Sequence, residues 1–245
     1  MAADWTAARW PAPPHIRAGT TTRGGGISRP PFDSLNLARH VGDDPEAVDC
    51  NRAMLQRDLD LPGAPLWLEQ THSDRVIRLP EDDDRRADAA VTDRPGLVCA
   101  VLTADCVPVL LCNRGGTRVG AVHVGWRGLC KGILDNALAL MGEDPAALLA
   151  WVGPHIGAAA YEVGDDVRDA CLARLPRAAG AFSPNPRGRW QCSLSALIAL
   201  SLNRLGLTRI SLAGRCTFTE SAAFYSYRRE ARTGRMASLI WMDRS

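Results

Sequence analysis

Five histidines, His15, His40, His72, His123 and His155, are the chain's whole supply of imidazole. Two of them stand where apolar runs break. His72 lies in Glu69-Gln70-Thr71-His72-Ser73-Asp74, a polar interruption between two apolar segments, and His123 ends an apolar run just before the Gly125 turn. Cys106 follows Asp105 between two further apolar runs. Breaks of this kind are where a scaffold points side chains into a cleft. One thiolate and two imidazoles make a three-ligand set with a coordination place left open, the pattern of catalytic zinc, whereas structural zinc is closed by four. The chain has no C-x-x-C or H-E-x-x-H signature, and a buried cysteine or histidine is ordinarily a packing residue. Spacing alone therefore leaves a metal site and plain core packing both open.

Anion chemistry has its own candidates. Gly125-Trp126-Arg127-Gly128 precedes a helical pattern, so Arg127 and the adjoining backbone N–H groups are placed to hold phosphate or carboxylate. Arg23 in the run Thr22-Arg23-Gly24-Gly25-Gly26, and the pair Arg228-Arg229, have weaker support, because an exposed arginine is usually just solvated.

The elements that must position these residues can be read from the hydrophobic pattern. Segments 97–102 and 107–112 are nearly continuous apolar runs, as strands buried on both faces require, with Thr103-Ala104-Asp105-Cys106 between them. Segment 119–124 reads as a third buried strand. After the glycine turn, apolar residues at 129, 130, 133, 134, 137, 138 and 141 predict one helix. Asp43-Asp44-Pro45-Glu46 starts another helix that ends before Pro62-Gly63, with Ala47, Val48, Met54, Leu55 and Leu59 as its buried stripe. Further strands are expected over 75–79, 89–92, 148–152, 209–213 and 237–242, and helices over 167–175 and 194–205. The first stretch, through Thr20-Thr21-Thr22-Arg23 to Pro30-Pro31, reads as a long irregular loop. Strands and helices interleave without a repeat, so the expected class is α+β (mixed α/β), a single domain over residues 1–245 with mixed sheets flanked by helices.

Composition narrows the function classes. The 245 residues are 46% hydrophobic and 23% charged, ordinary for a globular protein. A net charge of +2, from 29 basic and 27 acidic residues, supplies no field to concentrate nucleic acid and favours a small ligand. No run approaches the roughly 18 apolar residues of a membrane span, and the first residues carry no secretory pattern. The eight cysteines are scattered singly, so a cytoplasmic protein with reduced thiols is expected.

Taken in order, the motifs resemble a known family. They are Thr22-Arg23-Gly24-Gly25, Ser34-Leu35-Asn36-Leu37 with His40-Val41-Gly42-Asp43-Asp44, Gln70-Thr71-His72, Thr103-Ala104-Asp105-Cys106-Val107-Pro108, Ala121-Val122-His123-Val124-Gly125-Trp126-Arg127-Gly128, Gly153-Pro154-His155-Ile156-Gly157 and Tyr225-Ser226-Tyr227-Arg228-Arg229 with Thr233-Gly234-Arg235-Met236-Ala237. Together they are similar to the YfiH-type laccase-domain proteins, also called polyphenol-oxidase-like or purine nucleoside phosphorylase proteins, over most of the chain. The resemblance implies a YfiH-like fold and zinc held by His72, Cys106 and His123. It also implies phosphorolysis of adenosine, inosine, guanosine or methylthioadenosine, with adenosine deamination beside it. Small departures, Tyr161 and Tyr225 in place of phenylalanine and Cys192 in place of aspartate, touch none of the implied ligands.

On this reading purine nucleoside and phosphate are the partners. Asp105, Cys106 and His123 carry the chemistry, with Asp105 orienting the metal site or shuttling a proton. Arg127 and Arg23 are the anion contacts, and Asn36 and His40 the remaining substrate contacts. Three rivals stand beside it. A cysteine hydrolase or amidase would use Cys106 with His123 or His72, and relatives have been linked to cell-wall precursor editing. A copper-dependent polyphenol oxidase is the source of one family name. A four-copper cluster needs about ten histidines against the five present, which leaves copper only as a single ion at the same soft-ligand site. The third rival is a binding module without catalysis.

Overall fold

The protein is described here by a computed structural model covering residues 3–244. In chain order its elements are β1 (Trp5–Ala7), β2 (Ile16–Thr21), α1 (Pro45–Asp58), β3 (Val76–Arg78), β4 (Ala89–Thr92), β5 (Cys99–Thr103), β6 (Val107–Asn113) and β7 (Val119–Val124). There follow α2 (Trp126–Lys131), α3 (Ile133–Met141), β8 (Leu148–Val152), β9 (Glu162–Val163), α4 (Asp165–Arg174), β10 (Phe182–Pro184), β11 (Trp190–Cys192), α5 (Leu194–Arg204), β12 (Ile210–Leu212) and β13 (Met236–Met242).

Two large sheets carry the fold. One, in the order β1-β2-β13-β5, is antiparallel throughout. The other, β12-β8-β6-β7-β4-β3, is mixed, with parallel pairs at both edges and antiparallel pairs between. A small sheet, β10-β11-β9, lies apart. The period-2 alternation of strands sorts the core into layers. On β6, Val107, Val109 and Leu111 pack with α2, α3, α4 and α5, while Leu110 and Cys112 face the other large sheet, meeting Val101 and Ile240. The far face of that second sheet, through Ala100, Leu102 and Leu239, packs on Leu55 of α1. The result is helix, sheet, sheet, helix, an α+β architecture in which every central strand is covered on both faces.

Apolar continuity explains why β5, β6, β7 and β8 are entirely buried. Pro45 at the first helical position and the Asp44 side chain accepting from Glu46 N start α1 where the sequence indicates. Two expectations are corrected. The single helix over 129–141 is two, because Gly132 takes φ +102° and ends α2 with a left-handed cap. The opening stretch is not all loop, since Ile16–Thr21 is a strand paired to β2's neighbours β1 and β13. Its threonines look like loop residues, but Thr20 Oγ1 meets Ser238 Oγ at 2.7 Å and Thr21 Oγ1 accepts from Ala237 N at 3.0 Å, so both hydroxyls are satisfied inside the core.

The chain changes sheets at one point that matters. Between β5 and β6 it crosses from one large sheet to the other through Ala104-Asp105-Cys106, beside the end of β7 and the start of β13. A cavity opens there.

Candidate metal centre

His72, Cys106 and His123 converge at this crossing, with one ligand atom from each lying within 4.8 Å of the others. Cys106 Sγ is 3.7 Å from His72 Nε2, and the two imidazoles meet edge to face at 4.8 Å between centroids. In a tetrahedral zinc site, bond lengths of about 2.3 Å to sulfur and about 2.05 Å to nitrogen put those atoms about 3.6 Å apart. The Cys106–His72 pair matches that spacing, and one thiolate with two imidazoles is a donor set that suits zinc. Gly125 fits the same cradle, since a Cβ there would come within 2.8 Å of His72 Cδ2 and 3.2 Å of Cys106 Sγ. The backbone passes so close to the ligands that only glycine is accommodated.

What holds the ligands is a residue that sequence reasoning missed, Asp88. This fully buried carboxylate at the entry to β4 approaches His123 Nδ1 at 2.8 Å, which leaves Nε2 for the cluster. The same carboxylate accepts from His72 N at 3.0 Å, Ser73 N and Ser73 Oγ at 2.6 Å each, and Thr71 N at 3.2 Å. His72 sits at φ +58°, a conformation rare for a side chain of its size, and this bonding pays for it. Gln70 clamps the other end of the loop, donating to Leu102 O at 2.8 Å and accepting from Leu102 N at 2.7 Å. The only sign of Asp88 in the sequence is an isolated acid between alanines at the head of an apolar strand.

Electrostatics favour the ligating form of the thiol. Burial works against the thiolate, but the charge of His123 and hydrogen bonds from His123 and His72 outweigh it and bring Cys106 down to about 6. Burial likewise opposes the charged form of His123, yet Cys106 and Asp88 raise it to about 9. Among the other cysteines, Cys99 and Cys112 are pushed up to about 12 by burial alone and behave as core residues.

The cavity encloses about 490 Å³, within the range of small-molecule sites. His40, Asp105, Cys106, His123 and Arg127 line it, so five of the expected residues come together with His72. Trp126, Tyr161 and Tyr227 add aromatic walls, and Gln70, Thr103, Arg228 and Arg235 add polar ones. Arg23 and Asn36 stand outside it. The Arg23 guanidinium is spent on Asp33 and Ser221 O and stacks 4.8 Å from the Tyr225 ring centroid. Asn36 is fully buried, donating to Ala38 O and Asp43 Oδ2 and accepting from Ala38 N and Arg235 N. Asp105 reaches the cavity, but its carboxylate accepts from Thr217 Oγ1, Ser226 Oγ and Arg228 N, so it anchors the 217–228 segment while Asp88 orients the histidine. The Arg228-Arg229 pair splits: Arg228 stacks on Tyr161 at the cavity, and Arg229 binds the carbonyls of Thr217, Phe218 and Phe224.

The family model described as multi-copper polyphenol oxidoreductase laccase matches residues 17–243. A purine nucleoside phosphorylase of Pseudomonas aeruginosa is 47% identical over 241 residues, covering 98% of each chain. The Escherichia coli purine nucleoside phosphorylase YfiH is 46% identical over 236 residues, covering 96% of this chain and 97% of its own. Among solved structures, a Neisseria meningitidis protein of family DUF152 superposes with a TM-score of 0.93 at 46% identity, covering 98% of this chain and 100% of that one. YlmD from Geobacillus stearothermophilus gives 0.93 at 31% identity, covering 100% and 98%. A match over nearly the whole length, in both sequence and fold, places the chain in this laccase-like family, two of whose members, those of Pseudomonas aeruginosa and Escherichia coli, are named purine nucleoside phosphorylases.

Proposed function

We propose that the protein is a zinc-dependent purine nucleoside phosphorylase acting on adenosine, inosine, guanosine or methylthioadenosine, with adenosine deamination at the same site. The observation that carries the metal is the second imidazole. A cysteine nucleophile needs one base, whereas here two histidines approach one thiol and a shared carboxylate fixes both. His72, Cys106 and His123 would hold the zinc, which would supply a Lewis acid at the cavity wall. Copper at the same three ligands is the other metal that this soft donor set accepts.

The chain's own residues do the rest. In phosphorolysis a phosphate oxygen bonds to the anomeric carbon as the carbon–nitrogen bond breaks, and the bonding pair leaves on the purine. Holding both partners in line is the largest contribution a rigid cavity can make. Trp126, Tyr161 and Tyr227, each with an arginine over one face of its ring, line the cavity that would take the purine. Arg127, exposed and stacked 4.4 Å from the Trp126 ring centroid, contacts the substrate at the rim, and His40 contacts it from the opposite loop. All eight cysteines are free, which supports a reducing, cytoplasmic setting. No helix among the described residues is long and apolar enough to cross a membrane.

One observation favours a second reading. Cys106, His123 and Asp88 also form a thiol–imidazole–carboxylate series, the arrangement of a cysteine hydrolase or amidase. Elemental analysis of protein purified without added metal, wild type against Cys106→Ala, together with adenine release from adenosine with and without phosphate, separates the two. Stoichiometric zinc lost in the variant and phosphate-dependent release support the phosphorylase. Metal-free protein with a rapidly alkylated Cys106 overturns it in favour of the hydrolase.

A further inference from the structure

Arg235 is the unexplained charge of the cavity. It sits half-buried one residue before Met236, which pairs with Thr103 across β13 and β5. Nη1 donates to Thr233 O at 2.8 Å and Gly234 O at 2.9 Å. Nε and Nη2 have no acceptor, and no carboxylate lies within 4.0 Å of the guanidinium among the described residues. Burial pushes its pKa down, and it lines the same cavity as Cys106 and Asp105. The guanidinium is half-buried over the Tyr227 ring, 5.8 Å from its centroid, and its two free N–H edges are left to bind an anion that enters the cavity.

A second, independent observation points the same way. Thr103, only 1% exposed, is one of the residues that line this cavity, and its buried hydroxyl has no hydrogen-bond partner. Buried hydroxyls are normally satisfied, so this one awaits a ligand atom. His40 joins them. Asn36, four residues earlier, accepts from Arg235 N at 3.0 Å and thereby ties the His40 loop to the Arg235 strand. Burial, then the charges of Arg235 and Arg52, lower the His40 pKa and keep a neutral ring with a single N–H to give.

We propose that Arg235, Thr103 and His40 form the oxyanion subsite of the cavity, and that its occupant is inorganic phosphate, the co-substrate of the phosphorolysis on which this inference rests. The guanidinium fork, the hydroxyl and the imidazole N–H supply several donors to an anion with several oxygens. Arg127, the arginine that sequence motifs favour for this task, is a poorer holder. It is exposed, and it is the second residue of a helix of only six. Asn36, expected as a substrate contact, is thus a positioning residue, and Arg235 is the binding one.

Calorimetric titration of metal-loaded protein with inorganic phosphate tests the assignment. Arg235→Gln is expected to weaken phosphate binding about tenfold or more, and Thr103→Val, which keeps the side chain's shape, about threefold. Arg235→Lys keeps charge without the fork and is expected to fall between. Arg127→Gln is expected to weaken phosphate binding less than Arg235→Gln does. Loss confined to Arg127→Gln, or unchanged affinity in both Arg235→Gln and Thr103→Val, overturns the subsite. The reaction is read separately by adenine release. Phosphate-dependent release with affinity indifferent to Arg235 refutes the subsite and keeps the phosphorylase, whereas Arg235-dependent binding without release keeps the subsite and refutes phosphorolysis.

Discussion

Asp88 Oδ1 lies 2.8 Å from His123 Nδ1 and accepts from the backbone N–H of His72 at 3.0 Å, so one carboxylate sets the ring of one candidate ligand and the main chain of the other. The two histidines come from segments 51 residues apart in sequence, and Asp88 is the hinge that brings them to a common point.

Asp88→Asn keeps the shape but exchanges an acceptor for a donor toward His123 and the 71–73 loop. Metal affinity is expected to fall about 10- to 100-fold, measured by competition with a chromogenic chelator. Wild-type affinity in this variant would falsify the positioning role.

Gly125→Ala drives a methyl group to 2.8 Å from His72 and 3.2 Å from Cys106. A destabilisation of about 1–3 kcal/mol is expected, with substoichiometric metal by elemental analysis. A fully loaded variant of unchanged melting temperature would show that the cradle has slack.

Gln70→Leu removes both hydrogen bonds to Leu102 and strands that residue's N–H and C=O. Chemical denaturation should report a loss of about 1–3 kcal/mol. The loop that carries His72 should also become more sensitive to limited proteolysis, and equal cleavage rates would argue that Asp88 alone secures it.

Acid stability has a separate source in Asp135. Burial raises its carboxyl, but hydrogen bonds and charge from Arg204 and Arg174 prevail and lower it in the folded protein. A lowered folded value means the stabilisation is complete above the unfolded value, about 4 for aspartate, and is lost as pH falls through the folded one. Asp135→Asn is therefore expected to lower the urea midpoint at pH 7 and to leave it nearly unchanged near pH 2. Equal losses at both would assign the effect to packing.

Much of this was legible in the amino-acid order. The buried strands β4 to β8 are marked by apolar runs too continuous for a half-exposed sheet, and α1 by its Asp-Pro start. The short strands β9, β10 and β11 were not, because two or three residues carry too little periodicity to register. Strand β2 was hidden because its threonines find partners only across the sheet.

By itself the sequence made His72, Cys106 and His123 candidates at breaks in apolar runs, which the family resemblance and not the spacing singled out as a metal-ligand set, and it determined the α+β class through hydrophobic period. Tertiary structure alone decided which polar residues serve them. Asp88, Gln70 and Arg235 differ from their many surface counterparts only in what surrounds them, and burial, an unpaired donor or a shared acceptor exists only once distant segments meet. The same rule moved Asn36 and Arg23 out of the cavity, because a hydrogen-bonding group is bound by whatever partner the fold brings within about 3 Å.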